Sequence, residues 1–252
     1  DTPTTQLKTW QVAGRGQNAI LPQHTKLLIQ ANSSTTTSDT PHDVSGGHVA
    51  ETATRPTFSQ TQTKFANCAL YFTGSTGLRF PASSDFDWSG DFSFEAWVFT
   101  TNTAGNNNYD RWWGQSAGGL NVGNNAWLFQ MDGDQNSGGI YSSSTGDNEQ
   151  YDENLTHTAN AWQHWAMGIV DDRWICWRDG QIVMSTPTSS LYRPFLTSNR
   201  VFFIGALASA TNGFTGYMDN IRLCVGQSAY TPNFNPYGAQ KNVAVSRGGA
   251  VT

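Results

Sequence analysis

From Cys68 to Val225 the chain is a succession of short runs in which apolar residues alternate with polar or small ones, and no helical period of any length interrupts them. A period of two places successive side chains on opposite faces of an extended strand, so the pattern predicts an antiparallel all-β fold. Strands are expected at Cys68–Phe72, Leu78–Phe80, Phe92–Phe99, Trp127–Met131, Gly139–Tyr141, Trp162–Val170, Trp174–Trp177, Gln181–Ser185, Val201–Gly205 and Gly216–Val225. Asp179-Gly180 between two of them has the chemistry of a type I′ hairpin turn, which needs two residues at positive φ. In the last strand Met218, Asn220 and Arg222 alternate with Tyr217, Asp219, Ile221 and Leu223, which predicts one face for each set.

A chain of 252 residues and 27.6 kDa fits one large sandwich with ample core, and nothing in it calls for a second domain. Only 13% of residues are charged and the net charge is −5, with no Lys/Arg cluster, so nucleic acid is not an expected partner. No run approaches the roughly 20 apolar residues that span a bilayer, and no membrane partner is expected either. Solubility rests on Ser, Thr, Asn, Gln and Gly, a surface suited to an extracellular or particle-borne protein. The chain opens on Asp1, which leaves processing and excision from a longer polypeptide both open.

The core is expected over residues 25–237, flanked by arms at 1–24 and 238–252. The first arm has one apolar stretch, Trp10-Gln11-Val12, and the second has Asn242-Val243-Ala244-Val245-Ser246, which alternates like a short strand. Extended arms can add to an exposed sheet edge through main-chain hydrogen bonds, so sister subunits or other proteins of an assembly are expected partners. Gln30–Ser59 is a long polar connection, and Thr100–Ala126 is a Gly/Asn-rich insertion that reads either as one long loop or as a ragged strand between two.

Glycoside hydrolysis needs two carboxyl groups about 5–9 Å apart across a cleft. The candidates are Glu95 on a strand and Asp152 and Glu153 in a loop, and no strand carries carboxylates at i, i+2. A non-enzyme is therefore expected. His164 reads as a core or sheet-surface residue, Arg222 as a local ion-pair partner, and Cys176 as a core thiol. Sugar rings stack on aromatic faces while Asn, Asp and Arg bond hydroxyls, so Tyr109, Asp110, Arg111, Trp112 and Trp113 form the candidate glycan patch. Strand alternation alternatively puts one of Trp112 and Trp113 in the core and the other on the surface. Trp97, Trp127, Trp162, Trp165, Trp174 and Trp177 are expected mostly in the core.

The order of Leu70-Tyr71-Phe72, Phe94-Glu95-Ala96-Trp97, Trp162-Gln163-His164-Trp165, Asp179-Gly180 and Gly216-Tyr217-Met218-Asp219-Asn220-Ile221-Arg222 resembles the concanavalin A-like, laminin-G-like jelly roll. More narrowly it resembles the version in structural proteins of tailed bacteriophages, and the resemblance runs from Thr25 to Pro236. It implies a two-sheet antiparallel sandwich on a virion surface, as a capsid decoration, fibre or tail component that contacts glycans. A secreted or cell-surface lectin or adhesin, and more distantly a glycan hydrolase, are the alternatives. The resemblance also implies a structural calcium ion held by Asp219, Asn32 and the Gly74 turn, although Asn32 stands where relatives carry Asp. Its topology suggests pairing Phe72 near Asp219 or Asn220, which would bring Cys68 to Cys224 for a disulfide; two free thiols are the alternative.

Overall fold

The computed structural model describes residues 22–31, 41–45, 47–51, 55–65, 67–86, 90–102, 109–116, 126–132, 138–143, 148–152, 155–188, 200–205, 213–230 and 236. Asn32, residues 1–21 of the expected 1–24 arm and the expected arm at 238–252 lie outside the described residues, while Pro22–His24 form a 3-10 turn leading into the first strand.

The strands are β1 (Thr25–Ile29), β2 (Thr57–Ser59), β3 (Ala69–Thr73), β4 (Leu78–Phe80), β5 (Phe92–Thr100), β6 (Tyr109–Ser116) and β7 (Ala126–Asp132). They continue with β8 (Gly138–Ser143), β9 (Asn148–Asp152), β10 (Trp162–Val170), β11 (Arg173–Arg178), β12 (Gln181–Pro187), β13 (Val201–Ile204) and β14 (Thr215–Val225). A larger sheet runs β12-β11-β10-β5-β14-β3-β2, with β1 also paired to β14, and a smaller one runs β4-β13-β6-β7-β8-β9. All the named strand pairings are antiparallel. This is the antiparallel all-β fold that the alternation predicts, in the two-sheet jelly-roll sandwich that the resemblance implies. No helix among the described residues is long and apolar enough to cross a membrane.

Every strand expected from the alternation is present. The Thr100–Ala126 insertion contains a strand, β6, in mid-sheet between β13 and β7. Short β2 and β9 lie in polar stretches where no alternation marks them. The Asp179-Gly180 turn has both residues at positive φ, 49° and 80°, as a type I′ hairpin requires. Its Asp179 carboxylate also accepts the His164 N–H at 2.9 Å, fastening the turn to β10.

The inner faces meet in one aromatic core. Phe92, Phe94, Ala96 and Val98 from β5, Trp165 and Met167 from β10, and Trp174 and Cys176 from β11 face Trp112, Trp113, Trp127 and Phe129 of the smaller sheet. Two departures from strict alternation shape it. On β6, Arg111 opposes Gln130 while Trp113 opposes Phe129, so β6 holds one residue more than β7 at this point, a β-bulge. The bulge turns both Trp112 and Trp113 inward, at 1% and 0% exposure, and corrects the reading that one of them lies on the surface. On β14, Asp219 opposes Trp97 but Arg222 opposes Glu95, a second bulge, with Asn220 at φ 49°. Met218, Ile221 and Leu223 therefore join the core, whereas Tyr217, Asp219 and Arg222 face outward; the expected two-set alternation breaks at Asn220.

The second bulge marks where β14 changes partner along one edge, from β3 up to Met218 to β1 from Ile221. Phe72 consequently pairs with Gly216, not with Asp219 or Asn220. Cys224 lies opposite Ser93 on β5 and Thr25 on β1, while the Cys68 thiol donates to the Ala31 carbonyl at 2.5 Å. The expected Cys68–Cys224 bridge is thus absent, because β1 occupies the position beside Cys224; all three cysteines are buried free thiols.

The loop after β1 is anchored by Asp43. Its buried carboxylate accepts the N–H groups of Leu28 at 2.9 Å, Ser45 at 2.9 Å, Gly47 at 3.0 Å and His48 at 3.1 Å. An acid saturated in this way closes a loop onto a strand without exposing the main chain.

Candidate functional site

The outer face of the larger sheet carries the polar chemistry. Ser93, Glu95, Trp97 and Phe99 alternate with the core residues of β5, and all four are buried, because other segments lie over the middle of this face. Phe65 packs edge-on against Trp97 at 5.4 Å, and Lys64 Nζ stands 3.9 Å from the centre of a Trp97 ring. Burial lowers the Lys64 pKa, opposed by the Asp179 charge. On the other side Ala229 donates its N–H to Ser93 Oγ at 2.9 Å, and Tyr230 packs on Trp177 at 5.8 Å.

Beneath Tyr230 lies a buried ionic cluster. Glu95, only 4% exposed, pairs with His164 Nε2 at 2.9 Å and accepts hydrogen bonds from Arg222 Nε and the Tyr230 hydroxyl. Arg222 also donates to the Tyr230 oxygen at 3.3 Å. Burial alone would push the Glu95 carboxyl up; the Arg222 charge and the His164 contact outweigh it and hold the group below its ordinary range. In turn the Glu95 charge outweighs burial and raises the Arg222 guanidinium. The expected local pairing of Arg222 and the sheet-surface place of His164 are both observed.

Asp219 lies on the same face, diagonal to Glu95 across β14 and β5. It is 1% exposed; its Oδ1 accepts the Asn220 N–H at 2.8 Å, and its Oδ2 is buried without a hydrogen-bond partner. Burial pushes its carboxyl up from 3.8 to about 6, against the lowering effect of the Asn220, Ala31 and Phe65 amides. A calcium ion takes about six to eight oxygen ligands. Gly74 does not contribute one here: it follows Thr73, which pairs with Thr215, and its carbonyl accepts the Gly213 N–H at 2.9 Å. Asp219 lies four residues farther along β14, roughly 13 Å at strand rise. No group of three or more His, Cys, Asp or Glu that could hold a metal occurs among the described residues. One carboxylate facing amide N–H groups has an anion's surroundings, and Asn32, the other side chain expected at the ion, lies outside the described residues.

The patch expected at Tyr109–Trp113 is not assembled as a surface. Trp112 and Trp113 are core residues, Trp113 stacked on Phe129 at 5.0 Å. Asp110 is buried and accepts the Asn102 amide at 2.9 Å. Arg111 is half-buried, and burial lowers its pKa. The Tyr109 side chain lies outside the described residues. Three of the tryptophans expected in the core, Trp97, Trp162 and Trp177, are instead on the outer face. Trp162 groups there with Tyr71, Phe99 and Tyr217. The signal for three of the group is present in the sequence, since Tyr71, Phe99 and Trp162 stand out of phase with the core residues of their own strands; Tyr217 shares its phase with Ile221 and Leu223, and only the β14 bulge parts it from them.

Residues 72–225 match the family described as the concanavalin A-like lectin/glucanases superfamily. Among solved structures, the binding domain of Paraclostridial Mosquitocidal Protein 1 matches with TM-score 0.59 and 13% identity, covering 84% of this chain and 51% of that one. The receptor binding domain of botulinum neurotoxin D matches with TM-score 0.56 and 10% identity over 84% and 51%. The binding domain of botulinum neurotoxin DC in complex with SialylT matches with TM-score 0.55 and 12% identity over 81% and 48%. The chain thus spans about half the length of these structures, and at such identities the likeness is one of fold. No curated protein sequence matches the chain.

Proposed function

We propose, for a chain that belongs to the concanavalin A-like lectin/glucanases superfamily, a non-catalytic role as a binding module for glycans or glycan-bearing receptors. One observation carries it. On the outer face of the larger sheet the acid is closed off while two of the aromatics are not: Glu95 is held by His164, Arg222 and Tyr230, whereas Tyr71 and Trp162 reach solvent. A hydrolytic acid must reach a glycosidic oxygen, and its partner must stand free across a cleft. Glu95 and Asp219 share a face, but both are sealed under protein. The binding domains among the similar folds support the same reading. Binding on a glycan array, with no reducing sugar released from the bound glycans, is the expected result; release of sugar, or an array without signal, overturns it.

Within this role, display on a bacteriophage particle is the finer proposal, supported by the ordered series from Leu70 to Arg222. Residues 1–24 and 238–252 would engage sister subunits or other particle proteins. Light scattering of the purified chain tests it: defined oligomers that vanish when both segments are removed are expected, and an unchanged monomer in both forms counts against it.

A further inference from the structure

The four outward aromatics are not scattered. Tyr217 on β14 is the direct partner of Tyr71 on β3 and of Phe99 on β5, and Phe99 is the direct partner of Trp162 on β10. They form one row across four adjacent strands, on the side of the sheet away from the core. Ring centres are 4.9 Å apart for Tyr71–Tyr217, 5.9 Å for Phe99–Tyr217 and 5.6 Å for Phe99–Trp162. Phe99 and Tyr217 form a floor at 8% exposure each, and the end rings, Tyr71 and Trp162, are only half-buried.

The flank of the row at the sheet end is polar and uncharged. One step beyond Tyr71 on the same face is Thr73, exposed, and its partner is Thr215. The Thr101 N–H bonds the Thr215 carbonyl at 3.1 Å, and the Asn160 N–H bonds the Thr100 carbonyl at 2.8 Å, so Thr101 and Asn160 extend the flank beside Phe99 and Trp162. Asn160 is exposed and held at φ 57°. Three hydroxyls and an amide thus border four aromatic rings.

We infer that this row is a track for an extended, unbranched, neutral oligosaccharide lying across the strands, with sugar faces on the half-open end rings, Tyr71 and Trp162, the span between them over the Phe99–Tyr217 floor, and hydroxyls on the threonine and asparagine flank. The inference rests on the binding-module reading and specifies its ligand class and surface. The interstrand step of about 4.8 Å is close to the length of one pyranose ring in an extended chain, so four strands suit roughly three to four sugar units. Apolar ring faces remove the weakly hydrated C–H face of a pyranose from water, and the bordering hydroxyls fix its orientation. The threonine and asparagine flank offers no cation for a sialylated or uronic acid chain, and Lys64, on the opposite side of the row, is engaged over Trp97. A protein partner would need a patch beyond this narrow row, whose inner rings are already covered.

The test is calorimetry with β-1,4-linked glucose and xylose oligomers from two to six units, on the wild type, Tyr71→Ala, Trp162→Ala and the double variant. Affinity is expected to rise with length up to about four units and then level, with each single variant roughly tenfold weaker. Tyr71→Phe, which keeps the ring, is expected to bind like the wild type, and thermal melting of each variant reports whether the fold is intact. Glycans that bind on an array equally well in wild type and a folded double variant would overturn the track while leaving the module reading in place. An array without signal would remove both. A wild-type dimer that the double variant converts to monomer would reassign the row to self-association and overturn the track.

Discussion

Arg222 faces Glu95 because β14 holds one residue more than β5 between the Asp219–Trp97 and Arg222–Glu95 pairs. Without that extra residue the guanidinium would fall on the core face, and the buried glutamate would lose its counter-ion. The bulge therefore sets the phase of the last strand and creates the Glu95 cluster.

Breaking this pair leaves one buried charge uncompensated, which costs on the order of 3–5 kcal/mol. Arg222→Ala is expected to lose about that much in urea unfolding. Glu95→Gln is expected to lose less, because the amide keeps a hydrogen bond with Tyr230. Similar midpoints for both variants and the wild type would show that the cluster is solvated in solution.

Asp219 gives a signed pH dependence. Its folded pKa is raised from 3.8 to about 6, so the folded chain keeps a proton that the unfolded chain releases. The stabilisation is complete below about pH 4 and is lost as pH rises through about 6, a change on the order of 3 kcal/mol. Chemical denaturation between pH 4 and 8 is expected to show this decline in the wild type and not in Asp219→Asn, with no effect of a chelator. Stability that rises with pH and collapses on chelation would place a cation at Asp219.

Trp112 and Trp113 test the first bulge. Each is expected to cost about 3–5 kcal/mol on truncation to alanine, because both rings are in the core. A surface ring in either place would give a change below about 1 kcal/mol in thermal or urea unfolding.

Asp43→Ala strips the anion from four main-chain N–H groups. A loss of about 2–3 kcal/mol is expected, with faster amide exchange at Leu28, Gly47 and His48. Exchange that stays at wild-type rates in the variant would show that water replaces the carboxylate without penalty.

Thiol titration is expected to find all three cysteines reactive in denaturant and unreactive in the folded protein. Fewer than three would reveal a bridge.

The sequence by itself determined the fold class, the strands that alternate, the type I′ turn and the local roles of His164 and Arg222. These depend on a period of two or on turn chemistry, which neighbouring residues carry. It also contained the phase that puts Tyr71, Phe99 and Trp162 on the side of their strands away from the core, whereas Tyr217 is parted from Ile221 and Leu223 only by the β14 bulge. Only the tertiary structure decided that those four lie in register across the sheet, since register follows from which strands pair. Likewise only the pairing revealed the bulges on β6 and β14. Each adds a single residue to one strand, and with it the side chains beyond change face, moving both tryptophans inward and carrying Arg222 to Glu95. The register of β3 on β14, with Thr73 opposite Thr215, separates Gly74 from Asp219 and Cys68 from Cys224, and β1 takes over from β3 beyond Asn220 to fill the position beside Cys224.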